Sequence, residues 1–331
     1  MKYNFFGNTG IKVSELCFGT MSFGGDADEN TSREMFHSCR DNGINFFDCA
    51  NVYQNGGAEE ILGRLIKECR DEVVITSKVY FPMGEDINAR GASRFHIMSA
   101  VEASLKRLKT DRIDVYFIHR FDDKTPLEET IKTLDDLVRQ GKILYPGVSN
   151  FAAWQTEKAL GISQSHDWAR VECIQPMYNL VKRQAEVEIL PMARSENLAV
   201  IPYSPLGGGL LTGKYGISKK PRSGRLVENK IYNARYGAKW IYETTERFIQ
   251  YAIENDHDPV SLSIAWVASH PAVTAPIIGA RDLKQLKSCV DSVKIDLTPE
   301  LRFEISALSR EPAPATDRNE ERTSHSYAVR K

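Results

Sequence analysis

The sequence predicts a (β/α)8 barrel of the TIM type, and two observations carry the prediction. Short runs rich in β-branched and aromatic residues recur eight times, separated by segments with helical periodicity. One run after another then finishes on a polar or ionisable residue. In a closed parallel barrel all eight carboxyl ends open onto one face, so those residues would meet at a single mouth. An open doubly wound sheet is the competing fold, but no G-x-G-x-x-G follows the first run.

In chain order the runs are "VSELCFGT" (13–20), "INFFD" (44–48), "VVITSK" (73–78), "DVYFIH" (114–119), "LYPGVSN" (144–150), "VECIQ" (171–175), "AVIPYS" (199–204) and "APIIG" (275–279). Their bodies end on Thr20, Asp48, Lys78, His119, Ser149-Asn150, Gln175, Tyr203-Ser204 and Gly279. Between them, "TPLEETIKTLDDLVRQGK" (125–142) reads as a helix capped by Thr125, with Pro126 in its first turn and Gly141 at its end. "TSRE" (31–34) has the same capping form. Residues 1–310 are expected to form one barrel domain, followed by a tail at 311–331.

With 331 residues and 42% hydrophobic content, the chain can bury a core of this size. A net charge of −1 gives no electrostatic reason to expect nucleic acid or an anionic membrane as partner. No apolar run approaches the ~20 residues of a bilayer span, and the first residues lack the pattern of a signal peptide. Six scattered cysteines without a C-x-x-C pair suit reduced thiols in a cytoplasm better than a disulfide framework or a zinc site. No metal site is expected.

The strand-end residues suggest a chemistry. "FFDCANVY" ends a strand on Asp48 and supplies Tyr53 five residues later. A free phenol has a pKa of about 10. A nearby Lys78 would lower it, and Asp48 would hold that lysine charged. His119 could polarise a carbonyl oxygen. None of these side chains can deliver a hydride, so a redox cofactor is required. Cys49 reads as a small buried filler. Tyr80, Phe81 and Phe121 lie just past strand ends as pocket walls or as core packing.

Taken together, "GNTG", "CFGTMSFGG", "FDCANVY", "ITSK", "DVYFIHR", "GVSNF", "IQPMYN", "YSPLGGGLLTGKY" and "PIIGAR" resemble the aldo-keto reductase superfamily from Tyr3 to about Val293. The likeness is greatest to the branch of bacterial aldo-keto reductases and potassium-channel β subunits. It implies an N-terminal β-hairpin before the barrel, bound NADP(H), and a catalytic tetrad of Asp48, Tyr53, Lys78 and His119 with Tyr53 as the acid. It implies that Ser149, Asn150 and Gln175 hold the nicotinamide carboxamide and that Tyr203 stacks on its ring. Thr20 and Met21 match positions beside the nicotinamide ribose. Ser204, Pro205, Leu206, Gly208 and Lys214 match the loop that crosses the pyrophosphate, where Gly207-Gly208-Gly209 would expose backbone N–H groups to an anion. Gly279, Arg281 and Gln285 match the adenosine-phosphate segment, and Arg281 suits a 2′-phosphate. Ser288-Cys289 stands where the family often has Glu-Asn against adenine, which leaves the strictness of NADP over NAD open.

Residues 207–257 form an insertion whose lysines and arginines either clamp the cofactor or face solvent. The tail "EPAPATDRNEERTSHSY" either folds over the mouth or stays disordered. The expected function is NADP(H)-dependent reduction of aldehydes or ketones, sugars among the candidates. The alternative is a regulatory subunit that senses NADP(H) for a protein partner, and His119 argues against it, because the channel subunits differ there. The oligomeric state, substrate and physiological direction stay open.

Overall fold

A computed structural model describes residues 1–219, 221–222, 224–318 and 320. The chain opens with an antiparallel hairpin of β1 (Tyr3–Phe5) and β2 (Lys12–Ser14). Eight parallel strands follow: β3 (Cys17–Gly19), β4 (Phe46–Asp48), β5 (Val74–Val79), β6 (Ile113–Ile118), β7 (Ile143–Ser149), β8 (Cys173–Gln175), β9 (Ala199–Val200) and β10 (Ile277–Ile278). Each pairs with the next from β3 to β9, and β10 returns to pair with β3. The ring closes between β9 and β10 through flanking backbone. Thr274 N–H donates to the Val200 carbonyl at 2.9 Å and Ile277 N–H to the Pro202 carbonyl at 2.9 Å. The barrel read from the sequence is the fold of the molecule.

Helices alternate with the strands: α1 (Glu29–Asp41), α2 (Gly57–Leu65), α3 (Arg94–Leu108), α4 (Leu127–Arg139), α5 (Ala153–His166) and α6 (Ile189–Ser195). The insertion holds α7 (Arg225–Glu228), α8 (Lys230–Tyr236) and α9 (Lys239–Glu254). After it come α10 (Pro259–Ala268), α11 (Leu283–Asp291) and α12 (Pro299–Ala307). No helix among the described residues is long and apolar enough to cross a membrane.

Period-2 alternation sorts the strand side chains into two cores. Phe47, Ile75, Tyr116, Ile118, Val148, Ile174 and Val200 pack outward against the helices. Cys17, Phe46, Val115, Phe117, Cys173, Ala199, Ile201 and Ile277 fill the barrel interior. Phe6, in the hairpin turn, is fully buried in that interior core and meets Phe46 edge-on at 5.7 Å, so the hairpin plugs this core. Two residues further along the inward face stand Asp48 after Phe46, His119 after Phe117 and Gln175 after Cys173. A polar layer therefore sits on an apolar one.

Three local expectations are corrected. The run 13–20 is two elements, because the chain bends between Ser14, whose hydroxyl donates to the Leu16 carbonyl at 2.7 Å, and Cys17. The first helix begins at Glu29, since Asp28 accepts the Thr31 N–H at 2.8 Å and takes the cap from Thr31. Thr125 does not cap α4 either. Its hydroxyl donates to Asp122 at 2.9 Å, and the helix runs over Leu127–Arg139, with Gly141 in the left-handed region (φ +70°) just past its end. Residues 319 and 321–331 of the tail, and with them the question of whether it covers the mouth, lie outside the described residues.

Candidate active site

The polar layer is organised around one ammonium. Lys78 Nζ donates to Asp48 Oδ2 at 2.6 Å, to the Cys49 carbonyl at 2.7 Å and to the Tyr53 hydroxyl at 3.3 Å. Lys78 is 0% exposed and Asp48 2%, so this is a buried ion pair whose charges are all hydrogen-bonded. Burial pulls the lysine toward its neutral form, yet Asp48 and Tyr53 outweigh it and hold the ammonium above its ordinary range. Asp48 Oδ1 accepts from Thr76 Oγ1 at 2.7 Å and from Gln175 Nε2 at 2.9 Å. Residues of three strands, β4, β5 and β8, thus meet around this carboxylate at the barrel mouth, and His119, just past the end of β6, stands beside Tyr53.

Tyr53 reaches this group because the chain after β4 turns back on itself. It opens a short 3-10 turn in which Gln54 and Asn55 both take the left-handed conformation, with φ of 49° and 51°. Burial pushes the Tyr53 phenol up to about 12, more than the Lys78 charge draws it down. This reverses the expectation of a lowered phenol: desolvation outweighs the ammonium. His119 sits edge-on to Tyr53, ring centroids 6.2 Å apart, and to Phe81 at 4.9 Å. Burial first, then the Lys78 charge, hold its imidazole well below the usual range, so it is neutral at pH 7. Its Nδ1 is buried without a hydrogen-bond partner among the described residues. Tyr80 packs on Phe81 at 5.4 Å, whereas Phe121 turns to Phe151 at 5.2 Å and to the exposed Trp154 at 6.0 Å.

The residues expected around the nicotinamide are brought together, largely by bonds to one another. Ser149 Oγ donates to the Gln175 carbonyl at 2.9 Å. Asn150, at φ +57°, donates to the His119 carbonyl at 2.9 Å and to Ser149 Oγ at 3.1 Å, and accepts from the Tyr203 hydroxyl at 2.7 Å. Tyr203 is half-buried at the mouth, and Met177 and Tyr203 are bridged as an extension of β8 and β9. Thr20 donates to the Asp48 carbonyl at 3.0 Å, while Met21 is exposed.

Beyond β9, Ser204 adopts φ +58° and Pro205 leads through Leu206 into three glycines at φ +58°, +69° and +96°. Two of their N–H groups close the turn: Gly207 donates to the Ser204 carbonyl at 2.9 Å and Gly209 to the Leu206 carbonyl at 3.0 Å. The expectation that all three face an anion is reduced accordingly. A Cβ on Gly208 would come within 2.7 Å of the Tyr232 ring, so α8 lies directly on the turn. Arg225 and Arg235 stand over that same ring at 5.3 and 5.1 Å, and Lys214 over Tyr215 at 5.8 Å. The insertion thus brings cations to the glycine turn. At the far segment Gly279 is exposed, Gln285 accepts the Arg281 N–H at 3.2 Å, and Arg281 Nε pairs with Asp26 at 3.0 Å. Cys289 is buried with its Sγ 3.8 Å from the Gly279 carbonyl, so it packs the turn.

Three contributors escaped the sequence reading: Thr76, Tyr232 and Asp26. Thr76 was within reach of it, because it lies two residues before Lys78 on one strand and must share its face. Nothing local marks the other two.

The Aldo/keto reductase family model matches residues 15–309. The chain belongs to this family. Aldo/keto reductases are NAD(P)H-dependent reductases that take small carbonyl substrates. This aldo/keto reductase is 37% identical to a Bacillus subtilis protein described as the uncharacterized oxidoreductase YrpG, over 91% of this chain and 94% of that one. It is 35% identical to a probable voltage-gated potassium channel subunit beta of Arabidopsis thaliana, over 89% and 92%. With the versiconal hemiacetal acetate reductase of Aspergillus parasiticus it shares 31% identity, over 91% and 94%.

Proposed function

We propose that this aldo/keto reductase reduces aldehydes or ketones, sugars among them, using NADP(H), with residues 1–310 as its one barrel domain. The supporting observation is the Lys78 ammonium held by Asp48 and touching the Tyr53 hydroxyl. Tyr53 is the proton donor. Its raised pKa keeps the phenol protonated at neutral pH, and Lys78 stabilises the phenolate left behind once the proton moves to a developing alkoxide. The neutral His119 donates a hydrogen bond to the same oxygen and orients it, with Phe81 as the adjoining wall. Asp48 fixes the lysine and takes no proton.

Several features fit a dinucleotide: a half-buried tyrosine face at Tyr203, a tight glycine turn beneath Tyr232, and Lys214, Arg225, Arg235 and Arg281 on the rim. When bound, the nicotinamide supplies the hydride. Ser149, Asn150 and Gln175 would hold its carboxamide, and Thr20 and Met21 would border its ribose. Ser204, Pro205, Leu206, Gly208 and Lys214 would cross the pyrophosphate, and Gly279, Arg281 and Gln285 would meet the adenosine phosphate. All six cysteines are free thiols, which supports a cytoplasmic setting.

Tyr53→Phe tests the assignment. Single-turnover oxidation of bound NADPH by an aldehyde should slow by roughly 10²–10⁴-fold, with NADPH affinity unchanged. A rate within a few-fold of wild type would remove Tyr53 as the acid.

A further inference from the structure

Asp26 lies on the loop that leaves β3, the same loop that carries Thr20 and Met21. The loop is tightly self-bonded: Gly25 and Ala27 N–H both donate to the Ser22 carbonyl, at 3.1 and 2.9 Å, and Gly24 N–H donates to the Ala27 carbonyl at 2.8 Å. It is also fastened across the barrel rim, where Ser22 Oγ donates to the Ala280 carbonyl at 2.7 Å. Asp26 Oδ2 then lies 3.0 Å from Arg281 Nε. The arginine's own turn is equally fixed, because Asp282 caps α11 and Gln285 holds the Arg281 N–H. Both side chains keep about half their surface open, 42% for Arg281 and 48% for Asp26. The guanidinium expected to meet a 2′-phosphate therefore already has an anion, held against it by two ordered turns.

We infer that Asp26 is a specificity-determining residue that sets how far Arg281 favours a 2′-phosphorylated cofactor over one with a free 2′-hydroxyl. A carboxylate and a phosphate compete for one guanidinium fork. A ligand bearing the 2′-phosphate must displace or share Asp26, whereas a 2′-hydroxyl carries no charge and can donate to the carboxylate. Asp26 therefore narrows the gap between NADPH and NADH and speeds exchange of the phosphorylated form. An exposed ion pair contributes modestly, so its removal should shift affinity by about three- to tenfold. The inference rests on reading Arg281 as the 2′-phosphate ligand.

The test titrates NADPH, NADH, adenosine 2′,5′-bisphosphate and 5′-AMP by protein fluorescence. Four proteins are compared: wild type, Asp26→Asn, Arg281→Ala and the double variant. Arg281→Ala alone should weaken NADPH and the bisphosphate by roughly 10–100-fold and the other two far less; equal losses would overturn the reading of Arg281 itself. Asp26→Asn should tighten NADPH and the bisphosphate by about three- to tenfold and leave NADH and 5′-AMP no tighter. That gain should vanish in the double variant. If Arg281→Ala abolishes selectivity but Asp26→Asn leaves the NADPH-to-NADH ratio unchanged, Asp26 has no such role. A gain that persists without Arg281 would equally remove the coupling between the two.

Discussion

At the scale of single residues, the site depends on how completely one buried charge is answered. Lys78 spends its three donors on Asp48, Cys49 and Tyr53, and Asp48 accepts from Lys78, Thr76 and Gln175. Removing the lysine would leave an unpaired buried carboxylate. Lys78→Met should therefore destabilise the protein by about 3–5 kcal/mol, and adding Asp48→Asn should restore part of the loss. Urea unfolding followed by tryptophan fluorescence measures both; a Lys78→Met cost below about 1 kcal/mol would contradict this account. The four residues of this centre were legible because each lies at or just beyond a strand end, where residue type is visible in the chain. The direction of the Tyr53 shift was not legible, since it depends on how much water the fold removes and no spacing encodes that. Asp26 was hidden for a related reason: its partner is more than two hundred residues away in the chain.

At the scale of elements, one close approach depends on a missing side chain. Gly63, on α2, faces the end of α3, and a Cβ there would come within 2.6 Å of the Leu108 backbone. Gly161, in the middle of α5, is exposed and a Cβ would meet nothing within 4 Å. Gly63→Ala should cost about 1–3 kcal/mol by forcing α2 and α3 apart. Gly161→Ala should stabilise by roughly 0.5–1 kcal/mol, through the unfolded chain's lost freedom and the helix preference of alanine. Thermal melts of the two variants should shift in opposite directions, and a shared direction would refute the distinction. Their sequence neighbourhoods do not separate the two, for both sit in helical patterns. Helix caps were similarly ambiguous. Asp28 and Thr31 are both good caps, and only the path of the loop before α1 decides between them. Thr125 is claimed by Asp122, a competitor that becomes visible only once the β6–α4 loop is folded.

For the whole molecule, the ring of eight strands follows from repeated alternation, which survives errors in any one strand. The run 13–20 was divided, and β9 shrank to two residues, without disturbing the order. Acid stability is a property of the assembled barrel as well. His270 Nδ1 accepts the Ala272 N–H at 3.2 Å, and burial, then the Arg302 charge, bring its pKa from 6.5 to about 4. His119 is displaced in the same direction. The unfolded chain binds these protons near pH 6.5 while the folded protein does not, so stability is full above pH 6.5 and declines as the pH falls toward 4. His270→Gln should flatten that decline by on the order of 1 kcal/mol, after allowing for solvent at a half-buried ring. Urea midpoints at pH 7 and pH 4.5 compare the slopes; identical slopes would exclude His270 as a contributor.

The return of β10 to β3 also governs how the protein is made. Asp48, Lys78 and His119 leave the ribosome before the strand that completes the ring, which follows roughly 160 residues after His119, about 8–30 s at ordinary translation rates. During that interval β3 has an unpaired edge, the barrel interior is open to water, and the Lys78–Asp48 pair has solvent in place of its final enclosure. Translation therefore runs ahead of burial. The chain must carry a half-built sheet through that interval, and any chaperone that meets it there would encounter the exposed edges of β3 and the latest strand to emerge.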